Sequence, residues 1–385
     1  PFLKWIPKVD DLEGDGIWIP YRVGTPQGKS SQFYNATATS ADRGAQNNVS
    51  ASSAKRAFIE ANDSYMVVSL DNKSIRKARS NMGAFVRLKE TEIEDAVKEL
   101  SQELAIHLWK DGTGVIGRQS STSTEAITLT VLTDALNFQP GQKIQASATT
   151  RGGTLLGSGN IATVEKVDFD LGVVTFATGG VAAAGITTSS YLFNAGNYNT
   201  GTVALNKMVT GVSQWIPATA ETSGTFLQMD RTVHVQYLQG HRQTFTGSVE
   251  ETIKKLCAKM SRVGGRPDSG WLSFNDWLKL EFELQGRAMR EDGKDSPFGL
   301  SSLVYGGPGG TIRFYADPFL GDGRGYLLKR DSWALHHLDG LPHIAKEDGL
   351  AATRGADFDG LEVRIRMWME LACIAPKHNG TFATA

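Results

Sequence analysis

Met82 to Gly114 reads MGAFVRLKETEIEDAVKELSQELAIHLWKDGTG. Ile93, Val97, Leu100, Leu104 and Leu108 recur at helical spacing, with charged residues between them, the pattern of a helix with one buried stripe. Thr91 followed three residues on by Glu94 has the form of a capping box, and Gly112 and Gly114 supply a stop. A helix from Ala84 to Asp111 would be roughly 40 Å long at ~1.5 Å per residue, as long as a small domain is wide. Such a helix serves as a beam on which a sheet lies.

A second element matches it. Leu361 to Ala375 reads LEVRIRMWMELACIA. Leu361, Val363, Ile365, Met367, Met369, Leu371 and Cys373 point one way; Glu362, Arg364, Arg366, Trp368 and Glu370 point the other. Strict alternation of this length predicts a long strand with one face on a core, and the stripe of the long helix is the expected partner.

Around these two elements the chain divides. Residues 1–16 (PFLKWIPKVDDLEGDG) form an arm whose Phe2, Leu3, Trp5 and Ile6 are too apolar for a free tail. It packs either on another copy of the chain or as a lid on its own domain. Residues 17–64 alternate short β-like runs around a polar middle, Ser40 to Ser53, that has almost nothing to bury. They read as a long two-stranded projecting loop that needs a neighbour to lie on. Tyr65 to Leu70 (YMVVSL) is a core strand, and Asn72 to Asn81 a short basic helix whose Lys73, Arg76, Lys77 and Arg79 form a solvated or intersubunit face.

Thr124 to Phe193 is almost purely β, with five or six short strands separated by turns such as Gln139-Pro140-Gly141 and Asp170-Leu171-Gly172. That predicts a small barrel or sandwich. A compositional break on each side marks residues 121–196 as an insertion. From Asn199 the pattern is mixed. Ser248 and Glu251 form a capping box opening a helix with Ile253, Leu256 and Met260, which ends at Gly264-Gly265. Trp271 to Phe274 is a short strand, and Ser273 caps a helix carrying Trp277, Leu278 and Leu284. Thr311 to Ala316 and Tyr326 to Leu328 are further strands.

The 385 residues suffice for two or three domains with real cores. Lys plus Arg number 40 against 41 Asp plus Glu, a formal charge of -1, whereas a chain built to grip nucleic acid is normally basic. Cys257 and Cys373 read as buried free thiols, which suits a reducing compartment. There is no apolar run long enough to span a membrane. The first residue is Pro1, which removal of an initiator Met or of a longer leader would explain equally.

No catalytic signature emerges. Gly306-Gly307-Pro308-Gly309-Gly310 lacks the Gly-Lys-Ser/Thr ending of a phosphate loop and reads as a turn. His336, His337 and His343 match no zinc spacing. No Ser sits on a nucleophile elbow, and the carboxylates are not visibly paired. No catalytic, cofactor-binding or metal-ligating residue is therefore assigned, and the chain is not expected to be an enzyme.

The order of elements resembles the major capsid protein of a tailed bacteriophage, with the Hong Kong 97-type fold. The likeness covers nearly the whole chain except the β insert. It is carried by Trp109-Lys110-Asp111-Gly112-Thr113-Gly114 after the long helix, Phe274-Asn275-Asp276-Trp277 at a helix start, and Leu371-Ala372-Cys373-Ile374-Ala375-Pro376 in the closing strand. The resemblance implies an α+β fold with an N-terminal arm (1–16), an extended loop (17–64) and a peripheral domain (65–120) holding a spine helix (84–112). An inserted small all-β domain (121–196) and an axial domain (197–345) would follow, with a return to the peripheral domain (346–385). It further implies hexamers and pentamers closing an icosahedral shell around double-stranded DNA, joined through the loop, arm and axial domain. Portal protein, and a scaffold or decoration protein, would be the other partners, with the genome touched only non-specifically, in a virion assembled in the host cytoplasm. Some members of that family weld subunits by a Lys–Asn isopeptide bond. The loop here offers Lys29 and Lys55, but Leu341 to Leu371 contains no Asn, so no such bond is expected. An encapsulin-like compartment is the nearest rival reading. A carbohydrate-binding or enzymatic protein using the β domain, or a tail-tube protein, is more distant.

Overall fold

The computed structural model describes residues 1–33, 44–73, 76, 82–201, 206–222, 224–284, 289–291, 302–307, 310–346, 352–355 and 359–384. The long helix is there, Met82–His107, 26 residues and about 39 Å at ~1.5 Å per residue. Thr91 lies within it rather than at its start, so the Thr91–Glu94 capping box is not a cap. The helix also stops earlier than Asp111. Trp109 and Lys110 donate to the carbonyls three residues back, at 3.2 and 3.1 Å, in a tightened last turn. Asp111 then accepts from the Thr113 amide. Gly211 packs directly on this end: a Cβ there would fall 2.4 Å from the carbonyl oxygens of His107 and Lys110, so only glycine lets the returning chain pass.

The closing strand runs Gly360–Cys373. Val363, Ile365, Met367, Met369, Leu371 and Cys373 are all buried, in one core cluster with Ala96, Leu100 and Leu104 of the long helix and Leu108 just past its end. The predicted pairing of stripe and strand holds. The strand lies between Trp333–Ile344 and Asn62–Asp71, antiparallel to both, in a five-stranded sheet completed by Lys8–Asp10 and Thr353–Arg354. The strand predicted at Tyr65–Leu70 is the Asn62–Asp71 strand, with Val68 and Leu70 buried and Tyr65 and Val67 outward. Of the basic segment after it, Asn72, Lys73 and Arg76 are helical; Lys77 and Arg79 lie outside the described residues.

Two segments expected to reach a neighbour are anchored at home. Phe2–Trp5 form one helical turn, and Phe2 and Trp5 are each 1% exposed. Phe2 stacks on Trp109 at 4.1 Å between ring centroids, and Trp5 meets Trp271 edge-on at 5.6 Å. Lys8–Asp10 then pair in parallel with Leu335–His337. Of the two alternatives for the arm, the lid on its own chain is the one found. The projecting loop is a hairpin, Ile17–Gly24 against Ser53–Ile59. Ile19, Tyr21, Val23, Ala57 and Ile59 are buried in the main core; the alternate face, with Trp18, Pro20 and Arg22, and the distal part are exposed. Its tip, residues 34–43, lies outside the described residues.

Six strands between Val115 and Asn194 close a barrel around its own core, including Ile116, Phe138, Ile144, Val174, Phe176 and Leu192. Its first strand is Val115–Thr122, which crosses the boundary expected at 121. The first and last strands pair with each other, Tyr191 opposite Arg118 and Phe193 opposite Val115, so the chain enters and leaves at adjacent points.

Among the described residues, seven strands make a second large sheet, which the helices Val249–Ser261 and Phe274–Leu284 accompany. Leu256, Met260, Leu280, Leu284, Leu272, Phe314 and Phe382 share its core. Ser248 caps the first helix, its Oγ accepting from Glu251 N at 3.3 Å. The reciprocal half of that capping box is not made as read: Glu251 pairs with Lys255, and Glu283 of the neighbouring helix takes the amides of Val249 and Glu250 at 3.1 and 2.7 Å. Ser273 caps the second helix through Asp276 N at 3.1 Å. The short strand before it is Ser269–Leu272, so Phe274 belongs to the helix. The division expected at 345 is crossed twice. Trp333–Ile344 lies in the closing strand's sheet, and Gly380–Ala383 lies in the seven-stranded sheet between His241–Thr244 and Arg324–Leu328.

Candidate assembly surfaces

Each surface that could meet another molecule is positioned by a packed element behind it. The hairpin is held at its root by two bonds to distant chain, with a third packed beside them. Tyr21 Oη donates to the Cys373 carbonyl at 2.8 Å, burial pushing the phenol's pKa up. Phe58 N donates to Leu227 O at 2.9 Å. Trp215 Nε1, beside Tyr21, donates to Leu371 O at 2.9 Å. Beyond that root the side chains turn outward. Phe33 and Val49 are exposed; at the root itself, opposite Phe58, Trp18 lies half out under the guanidinium of Arg56 at 4.4 Å.

The helix Phe274–Leu284 is apolar on two sides. Leu280 and Leu284 enter the core, and the opposite side presents Phe274, Leu278 and Phe282, the last 76% exposed. These three stand one turn apart, and apolar side chains in such a row mark contact surfaces. Of the Trp277, Leu278 and Leu284 that mark this helix in the sequence, Leu278 is on this outer side. On the barrel, Leu132, Phe169 and Leu171 are exposed.

Glu370 is a functional candidate that the alternation of the closing strand hid, because its phase should face outward. It is 1% exposed. Its Oε1 accepts from Thr210 N at 2.8 Å and its Oε2 from Asn62 Nδ2. Asn62 opens the strand after the hairpin, and Thr210 lies on the segment returning from the barrel. One carboxyl thus ties three segments at the edge of a pocket of about 340 Å³ also lined by Phe58, Arg151 and Phe226. Burial lifts its pKa to about 7, against the hydrogen bonds that lower it.

The other residues weighed for chemistry are structural. His336 Nδ1 lies 2.6 Å from Asp11 Oδ1 and His337 Nδ1 3.6 Å from Asp10 Oδ1, pinning the arm's strand; His343 pairs with Arg366 further along. Among the described residues no three metal-binding side chains converge. Gly306, Gly307 and Gly310 close a hairpin, Gly307 opposite Gly310, with residues 308 and 309 outside the described ones. Cys257 and Cys373 are buried and free, burial pushing the Cys257 thiol to about 11. No helix among the described residues is long and apolar enough to cross a membrane.

No protein-family model matches the sequence, and no curated protein matches it. Solved structures do. Over 100% of this chain and 92% of the other, it is similar to a chain of the cyanophage A-1(L) capsid asymmetric unit, at 11% identity and a TM-score of 0.56. Looser likenesses are to a structure from Mycobacterium phage Ogopogo, at 8% identity and TM-score 0.45 over 100% and 92% of the two chains. Another is to the holo-SrpI encapsulin complex of Synechococcus elongatus, at 10% identity and TM-score 0.42 over 99% and 86%. The assignment rests on the first: the chain has a phage-capsid fold.

Proposed function

We propose that this chain is the major capsid protein of a tailed bacteriophage, assembling as hexamers and pentamers into an icosahedral shell around double-stranded DNA. The observation that carries the reading is the full-length likeness to a chain of the cyanophage A-1(L) capsid. The outward Phe274, Leu278 and Phe282 and the hairpin with a buried root and exposed distal part support self-association.

In this reading residues 17–64 are the extended loop, laid over a neighbouring subunit, and the long helix is the spine. The closing strand's sheet is the peripheral domain, and the seven-stranded sheet with its two helices is the axial domain, meeting its copies around the capsomer axis. The barrel is an insertion into the peripheral domain, with limits at 115 and 194 rather than 121 and 196. The arm docks Phe2 and Trp5 on its own body and leaves Lys8 to Asp11 exposed toward a neighbour. Portal protein, and a scaffold or decoration protein, are the further partners. The genome is touched without sequence preference, and the protein ends in the virion after assembly in the host cytoplasm. Shells hold together through interleaved loops and packed surfaces, without catalysis or a covalent weld. Electron microscopy of the expressed chain tests the reading, and shells enclosing cargo enzymes instead of DNA would mark the encapsulin-like alternative.

A further inference from the structure

A pocket of about 380 Å³ opens where the strand His241–Thr244 meets the end of the helix Val249–Ser261. Arg242, Lys259, Arg262 and His241 line it, and no carboxylate does. The carboxylate nearest in effect, Glu221, acts on Arg242 but is itself paired with Arg231. Arg242 donates Nε to the Pro217 carbonyl at 2.7 Å and Nη2 to the Gln239 carbonyl at 3.0 Å, and Lys259 Nζ donates to the Arg242 carbonyl at 2.8 Å. Among the described residues none of the three cations forms an ion pair. His241 is 6% exposed, and its ring hydrogen-bonds the backbone of Lys377. Its Nε2 is buried with no partner. An orphaned buried nitrogen in a cationic pocket calls for an external partner.

We infer that this pocket binds a phosphate-type oxyanion, held by Arg242, Lys259 and Arg262 with His241 Nε2 as a further donor. Sulfate and phosphate present acceptor oxygens in several directions, which suits converging ammonium and guanidinium donors. The pocket lies at a helix C-terminus, whose dipole disfavours an anion; there Met260 O accepts from Gly265 N at 2.9 Å and Ser261 O from Gly264 N at 3.1 Å, so the three cations must outweigh the dipole. Without the anion, burial lowers the pKa of the imidazole, the bond to Lys377 opposes this, and the charges of Arg242, Lys259 and His378 lower it further. With it, a proton on Nε2 is stabilised. Binding therefore draws a proton to His241. The chemistry is that of a phosphate in a nucleic-acid backbone or of free phosphate, and the two are separable.

The test follows the His241 C2–H signal by NMR in the full-length chain, titrated with sulfate, which keeps one charge across the pH range used. Saturable binding with the His241 midpoint raised by about one pH unit is the expected result. Lys259→Gln with Arg262→Gln removes two exposed cations without touching the core. It should weaken sulfate about tenfold or more and lose the midpoint shift in a chain that still unfolds cooperatively. A duplex DNA oligomer that displaces sulfate and moves the same signal assigns the site to backbone phosphate; DNA that leaves it unmoved assigns it to free phosphate. A wild-type signal indifferent to sulfate, or a double variant that responds as strongly, overturns the proposal. The signal is followed on the unassembled chain, so its failure is distinguishable from failure of the shell reading.

Discussion

Tyr21 donates its phenolic proton to the backbone carbonyl of Cys373 at 2.8 Å, across 352 positions of sequence. The bond joins the first strand of the hairpin to the end of the closing strand and fixes the direction in which the loop leaves the body. Replacing Tyr21 by Phe keeps the ring and strands a buried carbonyl. The unassembled chain should lose about 1–3 kcal/mol, read from urea unfolding. An unchanged midpoint would mean that the root of the hairpin is not docked.

Glu370 gives stability a pH dependence. Its carboxyl has an unfolded value of 4.5 and a folded value of about 7, so the folded state holds the proton more tightly. Its contribution is greatest below the unfolded value and falls as pH rises through the folded one, by about 3 kcal/mol at most. Glu370→Gln removes that slope while keeping an acceptor for Thr210 N, and Asn62 can turn its amide to accept from the new one. The difference in unfolding free energy between wild type and variant should therefore drift in favour of the variant from pH 5 to pH 8. Parallel pH profiles would show that Glu370 is not a buried carboxyl.

The arm is predicted to stabilise its own chain. Trp5→Ala empties a site between Phe2 and Trp271 and should cost about 3–5 kcal/mol in the unassembled protein. If Trp5 instead served only a contact between subunits, the isolated chain would melt as before and assembly alone would suffer.

Excising residues 115–194 behind a short Gly/Ser bridge should leave a soluble, folded chain. The entry and exit strands are paired, and the barrel has its own core. The losses are a few contacts to the long helix, chiefly Lys110 with Asp134 at 2.7 Å and Asn194 with Glu103 at 3.0 Å. Insoluble product would show that the barrel is part of the main folding unit.

Mature particles run on denaturing gels should give the monomer band alone. Lys29 and Lys55 are exposed, but 341–371 offers no Asn as acceptor. Ladders above the monomer mass would contradict this.

Much of the frame was legible because it is local. Val363 to Cys373 alternates strictly, and Leu100, Leu104 and Leu108 keep helical spacing; each periodicity names its own buried face. Ser248 and Ser273 were readable as caps because the donor sits three residues on. What stayed hidden depends on partners far along the chain. Nothing near Glu370 announces Asn62 or Thr210, and nothing near Phe2 announces Trp109. The barrel's first strand, VIGRQSST, carries a Ser-rich tail that reads as linker. The last strand, GTFA, is too short to show a period. Thr91 and Glu94 match a capping pattern inside a helix that had already begun at Met82, since a three-residue signature recurs by chance in charged helices.

The central claim is that this chain builds a shell, and negative-stain electron microscopy of the expressed full-length protein, sized first by light scattering, tests it most directly. Closed particles, or rings of five and six subunits, are the predicted result. A monodisperse monomer under every condition, including with any scaffold encoded beside it, would contradict the account.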